Sequence, residues 1–310
     1  MANLDISGRE NEIIKNITAF IDTQTTKRGV DGVLILFSGY IDSTIVAKLA
    51  LDALAENSVK LLVRHGKFNR GNQEEILSSS IEYLGIDREL IIQHDIEPMI
   101  EQLKSGIYTS GSIREIPTIY EPLSYNLLKI TAKEEILEKT YGMIGTADTE
   151  REKLIHKIVA LNKVRSRIHM AIAYFTAEQE NRFFLGTVNK TELLTGLFTK
   201  WGHGHCADLM PLGDLYRSQI IQLAKKLNIP RSIRNSAKAD LLPGIDNKYL
   251  YFFNLKSSDV DSILIGLEDD LSAKEISKTN DLDIEAVKKV KFFYDSTIFT
   301  RSTPLIPKIW

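Results

Sequence analysis

The chain has 310 residues, 43% of them hydrophobic, and a formal net charge of −2 from 39 lysines and arginines against 41 aspartates and glutamates. This balance argues against a broad surface that tracks nucleic acid, and the lone Cys206 excludes an intrachain disulfide or a Cys-x-x-Cys metal site. No apolar stretch approaches membrane-spanning length, and Asp5, Glu10 and Glu12 precede the first apolar run, so a cytoplasmic protein of a reducing compartment is expected.

Apolar residues at helical spacing from 11 to 25 predict an amphipathic first helix. Residues 33–37, branched and apolar between Gly32 and Gly39, predict a buried strand. Helical spacing returns over 44–54, a second strand follows over 59–63, a helix over 73–84, and a weaker strand over 90–92 leads to a helix from Pro98. Strands alternating with helices imply α/β architecture, a parallel sheet with helices on both faces. Glycines and prolines punctuate residues 105–149, read as an insertion with a helical stretch near 127–137. A helix over 153–177, a strand over 182–185 and a helix over 215–227 follow, then a turn-rich segment over 235–247 and helices over 260–267, 273–278 and 284–293. The expected organisation is one domain over 1–310 with a helical C-terminal extension at about 256–310.

The most specific local feature is Ser38-Gly39-Tyr40-Ile41-Asp42-Ser43-Thr44, a small polar loop between an expected strand and helix. Backbone amides and a helix N-terminus placed this way can hold an anion, and Ser38, Ser43 and Thr44 add hydroxyl donors. Asp42 is badly placed to touch a phosphate directly, and a carboxylate there makes sense with magnesium between it and the phosphates. An ordinary turn in which Asp42 or Ser43 caps the helix stays open as a second reading.

Ser38-Gly39-x-x-Asp42-Ser43-Thr44 resembles the pyrophosphate loop of the N-type ATP pyrophosphatases. Within that superfamily the chain is similar to NAD synthetase through three runs: Leu185-Gly186-Thr187-Val188-Asn189-Lys190-Thr191-Glu192, Gly196-Leu197-Phe198-Thr199-Lys200-Trp201-Gly202, and Asp208-Leu209-Met210-Pro211-Leu212-Gly213-Asp214-Leu215-Tyr216. Asn162, Arg165 and Arg167 are similar to a further Asn-x-x-x-Arg signature of the family. The resemblance implies an adenine nucleotide alpha hydrolase-like, Rossmann-like fold, ATP as co-substrate with Mg2+, and a homodimer. It implies that residues Ser38, Gly39, Tyr40, Ile41, Asp42, Ser43 and Thr44 surround the pyrophosphate, with Thr187 near the nucleotide and Asp42 and Glu192 on the metal. Arg217 falls where the family has a phosphate-neutralising lysine. On the acceptor side it implies Arg165, Lys200, His203, Asp208, Lys238 and Arg301, and Asp42, Arg217 and His203 are the expected catalytic groups.

The chain departs from the family pattern at several positions. Tyr40 replaces the second loop glycine, where a side chain costs backbone freedom. Gly202-His203-Gly204 replaces Gly-Asp-Gly, Lys238 replaces a small hydroxyl residue, Ile245-Asp246-Asn247-Lys248 replaces Gln-x-Asp-Glu, and Phe299-Thr300-Arg301 keeps only the arginine of His-Lys-Arg. The changes gather on the acceptor side and the retained residues on the ATP side. His203 reads either as a proton acceptor near the incoming ammonia or as a structural loop histidine. Zinc at His203, His205 and Cys206 is disfavoured by the missing second thiol, Cys206 reads as an inert thiol, and Phe252, Phe253, Phe292, Phe293 and Tyr294 read as core.

The expected activity, implied by the resemblance, is an adenylating ligase that releases AMP and pyrophosphate and amidates a small-molecule carboxylate with ammonia, the acceptor being nicotinic acid adenine dinucleotide or, given the changes on the acceptor side, a different carboxylate. The ammonia is free or comes from a separate amidotransferase, since a second catalytic domain does not fit in this length. The alternative is a regulatory adenine-nucleotide-binding paralogue without catalysis, and membrane or nucleic-acid partners are not expected.

Overall fold

A strand covered on both faces has no side to leave polar, so residues 33–37 are apolar throughout, and 59–63 depart from that only at Lys60, which pairs with Glu180. The computed structural model describes residues 4–64, 73–106, 149–236 and 247–302. In it β1 (Gly32–Phe37), β2 (Val59–Arg64), β3 (Ile91–His94) and β4 (Arg182–Leu185) pair in the order β3-β2-β1-β4, all parallel. Val33 lies opposite Val59 on one side and Phe183 on the other. The helices of this region are α1 (Glu10–Arg28), α2 (Ile41–Ala53), α3 (Gln73–Leu84), α4 (Glu97–Gly106) and the 30-residue α5 (Glu150–Gln179).

Ile35, Phe37, Leu61, Val63 and Leu185 share a core with Ile21 of α1 and Ile41, Ile45 and Leu49 of α2. The alternate residues Leu34, Leu62 and Phe184 pack with Ala173 and Ala177 of α5. Helices therefore cover both faces, and each fully buried leucine or isoleucine contributes about 2 kcal/mol of burial free energy.

After β4 come α6 (Lys190–Thr195), α7 (Arg217–Lys226), α8 (Arg231–Arg234) and then α9 (Lys248–Phe253), α10 (Ser257–Glu268), α11 (Ala273–Asn280), α12 (Ile284–Ser296) and α13 (Ile298–Arg301). The C-terminal helices build their own core from Phe252, Val260, Ile263, Leu264, Ile276, Val287, Val290 and Phe293, joined to the preceding region through Leu197 and Tyr216. Of the aromatic pairs expected in the core, Phe252, Phe253 and Phe293 are buried, whereas Phe292 is 40% exposed. No described helix is long and apolar enough to cross a membrane.

The structure differs from the sequence reading in two ways. α2 begins at Ile41 and not at residue 44, so Asp42 and Ser43 belong to its first turn. α6, α8, α9 and α13 had no counterpart in the reading. Most of the insertion expected over 105–149, with its helix near 127–137, lies outside the described residues, as does Lys238.

The strand order fixes where a ligand can sit. From β1 the chain steps outward through β2 to β3, then returns to place β4 on the opposite side of β1. The connections leaving β1 and β4 therefore diverge, and a crevice opens at the carboxyl ends of those two strands.

Candidate functional site

The loop after β1 is shaped by where its carbonyls go. The Gly39 carbonyl accepts hydrogen bonds from Ser80 Oγ at 2.6 Å and Thr44 Oγ1 at 3.1 Å, and the Tyr40 carbonyl accepts from Ser43 Oγ at 3.0 Å and Thr44 Oγ1 at 2.9 Å. The first helical bond runs from Thr44 N to Tyr40 O at 2.9 Å, so the amides of residues 41–43 precede the ladder, as at the start of any α-helix. Ser38 Oγ lies 3.1 Å from Ser43 Oγ. Thr44 is fully buried and spends its hydroxyl on the two loop carbonyls, so its part is to brace the turn.

Gly39 has φ +79°, which a side chain disfavours, whereas Tyr40 has φ −74° and extended ψ. The bulky residue thus occupies a position that makes no demand for glycine. Tyr40 is the N-cap of α2 and makes no side-chain capping bond, and the Asp42 carboxylate does not cap the helix either. It is turned to Arg217, whose Nη1 donates to both carboxylate oxygens at 2.8 Å. Asp42 is fully buried, which removes the ordinary-cap reading for this residue.

Across the crevice, Asn189 caps α6 and links the two carboxylates. Its Oδ1 accepts from Glu192 N at 3.0 Å, its own N–H donates to Glu192 Oε2 at 3.1 Å, and its Nδ2 donates to Asp42 Oδ1 at 3.4 Å. Asp42 of α2, after β1, and Glu192 of α6, after β4, thus lie within the span of one asparagine. Glu192 is 3% exposed and its Oε1 pairs with Lys248 Nζ. Hard carboxylate oxygens placed this way suit a magnesium ion.

Arg217 is set in place by a second buried network. Its backbone N–H donates to Thr191 Oγ1 at 2.8 Å, Thr191 Oγ1 donates to Asp261 at 2.5 Å, and Asp261 also accepts from Ser218 N at 2.8 Å. Burial raises the Asp261 pKa, opposed by the bonds from Ser218 and Thr191. Burial works against the Arg217 charge, but the neighbouring Asp42, with Tyr249 and Glu192, raises its pKa. Tyr249 is 4% exposed, and its hydroxyl is one of two buried side-chain oxygens without a hydrogen-bond partner among the described residues. Burial, then Glu192, hold the Tyr249 phenol well above its usual pKa. A buried hydroxyl without a partner beside Glu192, Asp42 and Arg217 is a donor still available to an oxygen acceptor.

The residues expected on the acceptor side scatter more widely. Asp208 accepts from Phe184 N at 2.8 Å and Tyr174 Oη at 3.4 Å, bracing the edge of β4. Arg301 Nη1 donates to the carbonyls of Tyr294 at 2.7 Å and Leu194 at 3.2 Å. Lys200 Nζ donates to the Phe299 carbonyl at 2.6 Å and lies 3.7 Å from its ring centre. Thr187 is half-buried in the turn between β4 and α6. The division into a changed acceptor side and a retained ATP side needs correction: Lys248, one of the departures, rests on Glu192. It arrives there because α9 packs into the C-terminal core with its first turn facing α6, a tertiary placement without local signal.

A row of imidazoles extends from the ends of β2 and β3. His94 Nδ1 bonds the Val63 carbonyl at 3.0 Å and its Nε2 lies 2.8 Å from His169 Nδ1, while His203 Nδ1 lies 3.0 Å from Ser166 Oγ. The His169 and His203 rings are 5.7 Å apart, centre to centre. Arg165 Nη1 donates to Glu97 at 2.7 Å and Arg64 Nη2 to the same carboxylate at 3.3 Å. His205 turns away and stacks on Phe198 at 4.9 Å, so it does not share a centre with His203. Burial raises the half-buried Cys206 thiol pKa, in keeping with an inert thiol.

Burial, with His203, His94, Arg64 and Arg165 nearby, depresses the His169 pKa from 6.5 to about 2. Below pH 6.5 the unfolded chain binds a proton at this position that the native state refuses, so stability is full above that pH and falls as pH drops. The loss from one such imidazole is about 2 kcal/mol between neutrality and pH 5. His169→Asn is expected to flatten the pH dependence of the urea midpoint over this window by about that amount, and an unchanged slope refutes the assignment.

Fold and loop together define an α/β protein with a small polar loop and a helix N-terminus where β1 and β4 diverge, an arrangement able to receive a phosphate group. The family model described as NAD synthase matches residues 13–116 and 112–304. The NH(3)-dependent NAD(+) synthetase of Thermotoga maritima is 28% identical over 282 residues, covering 89% of this chain and 93% of that protein. The protein of the same name from Thermococcus kodakarensis is 30% identical over 232 residues, 74% of this chain and 71% of its own. Among solved structures, NMN synthetase from Francisella tularensis superposes with TM-score 0.67 at 21% identity, covering 97% and 99% of the two chains. NH3-dependent NAD synthetase from Campylobacter jejuni gives 0.65 at 21% identity, covering 96% and 99%. The chain belongs to the NAD synthase family, and with it to the ATP-using ligases that form a carbon–nitrogen bond.

The sequence reading missed Asn189, Lys248, Tyr249, Asp261, His94 and His169. For Asn189 a signal existed, since an asparagine three residues before a glutamate is a capping-box pattern.

Proposed function

We propose that this chain adenylates the carboxylate of nicotinic acid adenine dinucleotide and amidates it with ammonia. A carboxylate oxygen attacks the α-phosphorus of ATP, the bond to the β-phosphate oxygen breaks, and pyrophosphate leaves. Ammonia then attacks the acyl carbon, the bond to AMP breaks, and the nitrogen sheds a proton. The observation that carries the reading is the joining of Asp42 and Glu192 through Asn189 beside the phosphate loop.

Asp42 and Glu192 would hold magnesium, which when bound offsets the charge of the polyphosphate. The amides at the start of α2 and the Ser38 hydroxyl receive the departing diphosphate, Ser43 bracing the turn through the Tyr40 carbonyl, and Arg217 supplies a fixed positive charge beside it. His203, oriented through Nδ1 by Ser166, takes the proton from the attacking nitrogen. Arg165, Lys200, Asp208, Lys238 and Arg301 remain the candidates for the acceptor side. The assembly is a homodimer, checked by light scattering, and free ammonia or a separate amidotransferase serves as the nitrogen source.

Exchange of labelled pyrophosphate into ATP tests the reading. It is expected with nicotinic acid adenine dinucleotide, with AMP and the amide appearing when ammonium is added. Exchange only with the corresponding mononucleotide moves the acceptor, and ATP binding by calorimetry with no exchange for either acid leaves a regulatory nucleotide-binding protein.

A further inference from the structure

Both carboxylates of the site already carry a cation of the chain's own. Asp42 holds Arg217, and Glu192 holds Lys248, with side chains 4% and 11% exposed in the second pair. Lys248 is therefore no surface lysine resting on a nearby acid. Asn247 Oδ1 accepts from Leu250 N at 3.1 Å to fix the start of α9, and Tyr249, Phe252 and Phe253 root that helix in the C-terminal core.

The two oxygens of Glu192 have different tasks. Oε2 closes the capping box of α6 by accepting from Asn189 N, and Oε1 takes the lysine. A cation at Oε1 can be exchanged for another without disturbing the helix cap. Lysine is the side chain suited to the exchange, because its ammonium is a compact point charge on a flexible stem, whereas the guanidinium of Arg217 is rigid and reaches both Asp42 oxygens. The unpartnered Tyr249 hydroxyl lies next in the chain, beside Glu192 and Asp42, where an arriving oxygen ligand would satisfy it.

We infer that Lys248 is an internal competitor for the divalent cation, its ammonium neutralising Glu192 in the ligand-free protein and giving way when the metal binds with ATP. An ammonium seated on Oε1 repels a metal ion arriving at the same oxygen and must move aside for it, so Lys248 raises the metal concentration that the enzyme needs. The inference rests on the assignment of Asp42 and Glu192 as the metal-binding pair made above.

The test uses the full chain with Mn2+ as probe and α,β-methylene ATP, following the ternary complex by water-proton relaxation. Lys248→Met is expected to half-saturate at about tenfold lower Mn2+ than the wild type. It should also melt lower in EDTA, where Glu192 has lost the Lys248 ammonium, and gain more from Mn2+ with the analogue. Lys248→Arg, which keeps the charge on a stiffer group, should need at least as much Mn2+ as the wild type. Equal Mn2+ affinity in Lys248→Met and wild type, or Lys248→Arg behaving as Lys248→Met, overturns the competitor role while leaving the metal pair standing. A wild type and variants that all fail to form the ternary complex overturn the metal assignment and this inference together.

Discussion

Asp42→Asn is expected to lower pyrophosphate release by about 1000-fold and to cost about 3 kcal/mol of folding stability. The two losses have separate causes. The stability loss comes from Arg217, whose side chain is 13% exposed and which donates to both Asp42 oxygens. An asparagine in that place cannot neutralise the guanidinium, and a buried charge without its counterion is costly. The activity loss comes from removing one of two carboxylates at the mouth of the phosphate loop, where charge must be balanced as the diphosphate departs. A urea titration followed by tryptophan fluorescence measures the first, and a coupled pyrophosphate assay below the unfolding range measures the second. A folded Asp42→Asn chain with activity within tenfold of wild type would remove Asp42 from the reaction.

How far the site could be read in advance depends on how its residues are held. Strand β1 was legible because burial on both faces leaves an unbroken apolar run, and β2 because Val59, Leu61, Leu62 and Val63 keep that character around a single Lys60. The 30-residue α5 was legible because apolar residues recur at helical spacing along its sequence, whereas four to six residues, as in α6, α8, α9 and α13, give too few turns for a period. Asp42 and Glu192 were legible because each sits at a fixed distance after a strand, in a local motif that survives without knowledge of the rest. Lys248, Tyr249 and Asp261 have no such frame: they come from the C-terminal helices, and only the packing of Phe252, Val260 and Phe293 brings them beside α6 and α7. His94 and His169 lie 75 residues apart and meet only because β3 is an edge strand of the sheet that α5 packs on. The tyrosine in the loop looked costly because sequence alone does not say which loop position needs positive φ, and that position is Gly39.

That distinction gives the second large effect. Gly39→Ala is expected to weaken ATP binding by about 100-fold and to lower stability by about 3 kcal/mol, whereas Tyr40→Ala should do far less to the backbone. Gly39 has φ +79°, and a methyl group there would lie 2.7 Å from Leu77 Cα and 3.1 Å from Leu77 N. Those are backbone atoms of α3, which cannot turn aside as a side chain can, so either the helix or the loop must shift. The helix is tied to the same glycine by Ser80 Oγ, which donates to the Gly39 carbonyl at 2.6 Å. A displaced Gly39 therefore loses the anchor that aims the first turn of α2 at the phosphates. Calorimetry with ATP and magnesium reads the binding loss and thermal denaturation the stability loss. A Gly39→Ala chain that binds ATP as the wild type does would mean that the diphosphate is held somewhere other than this turn.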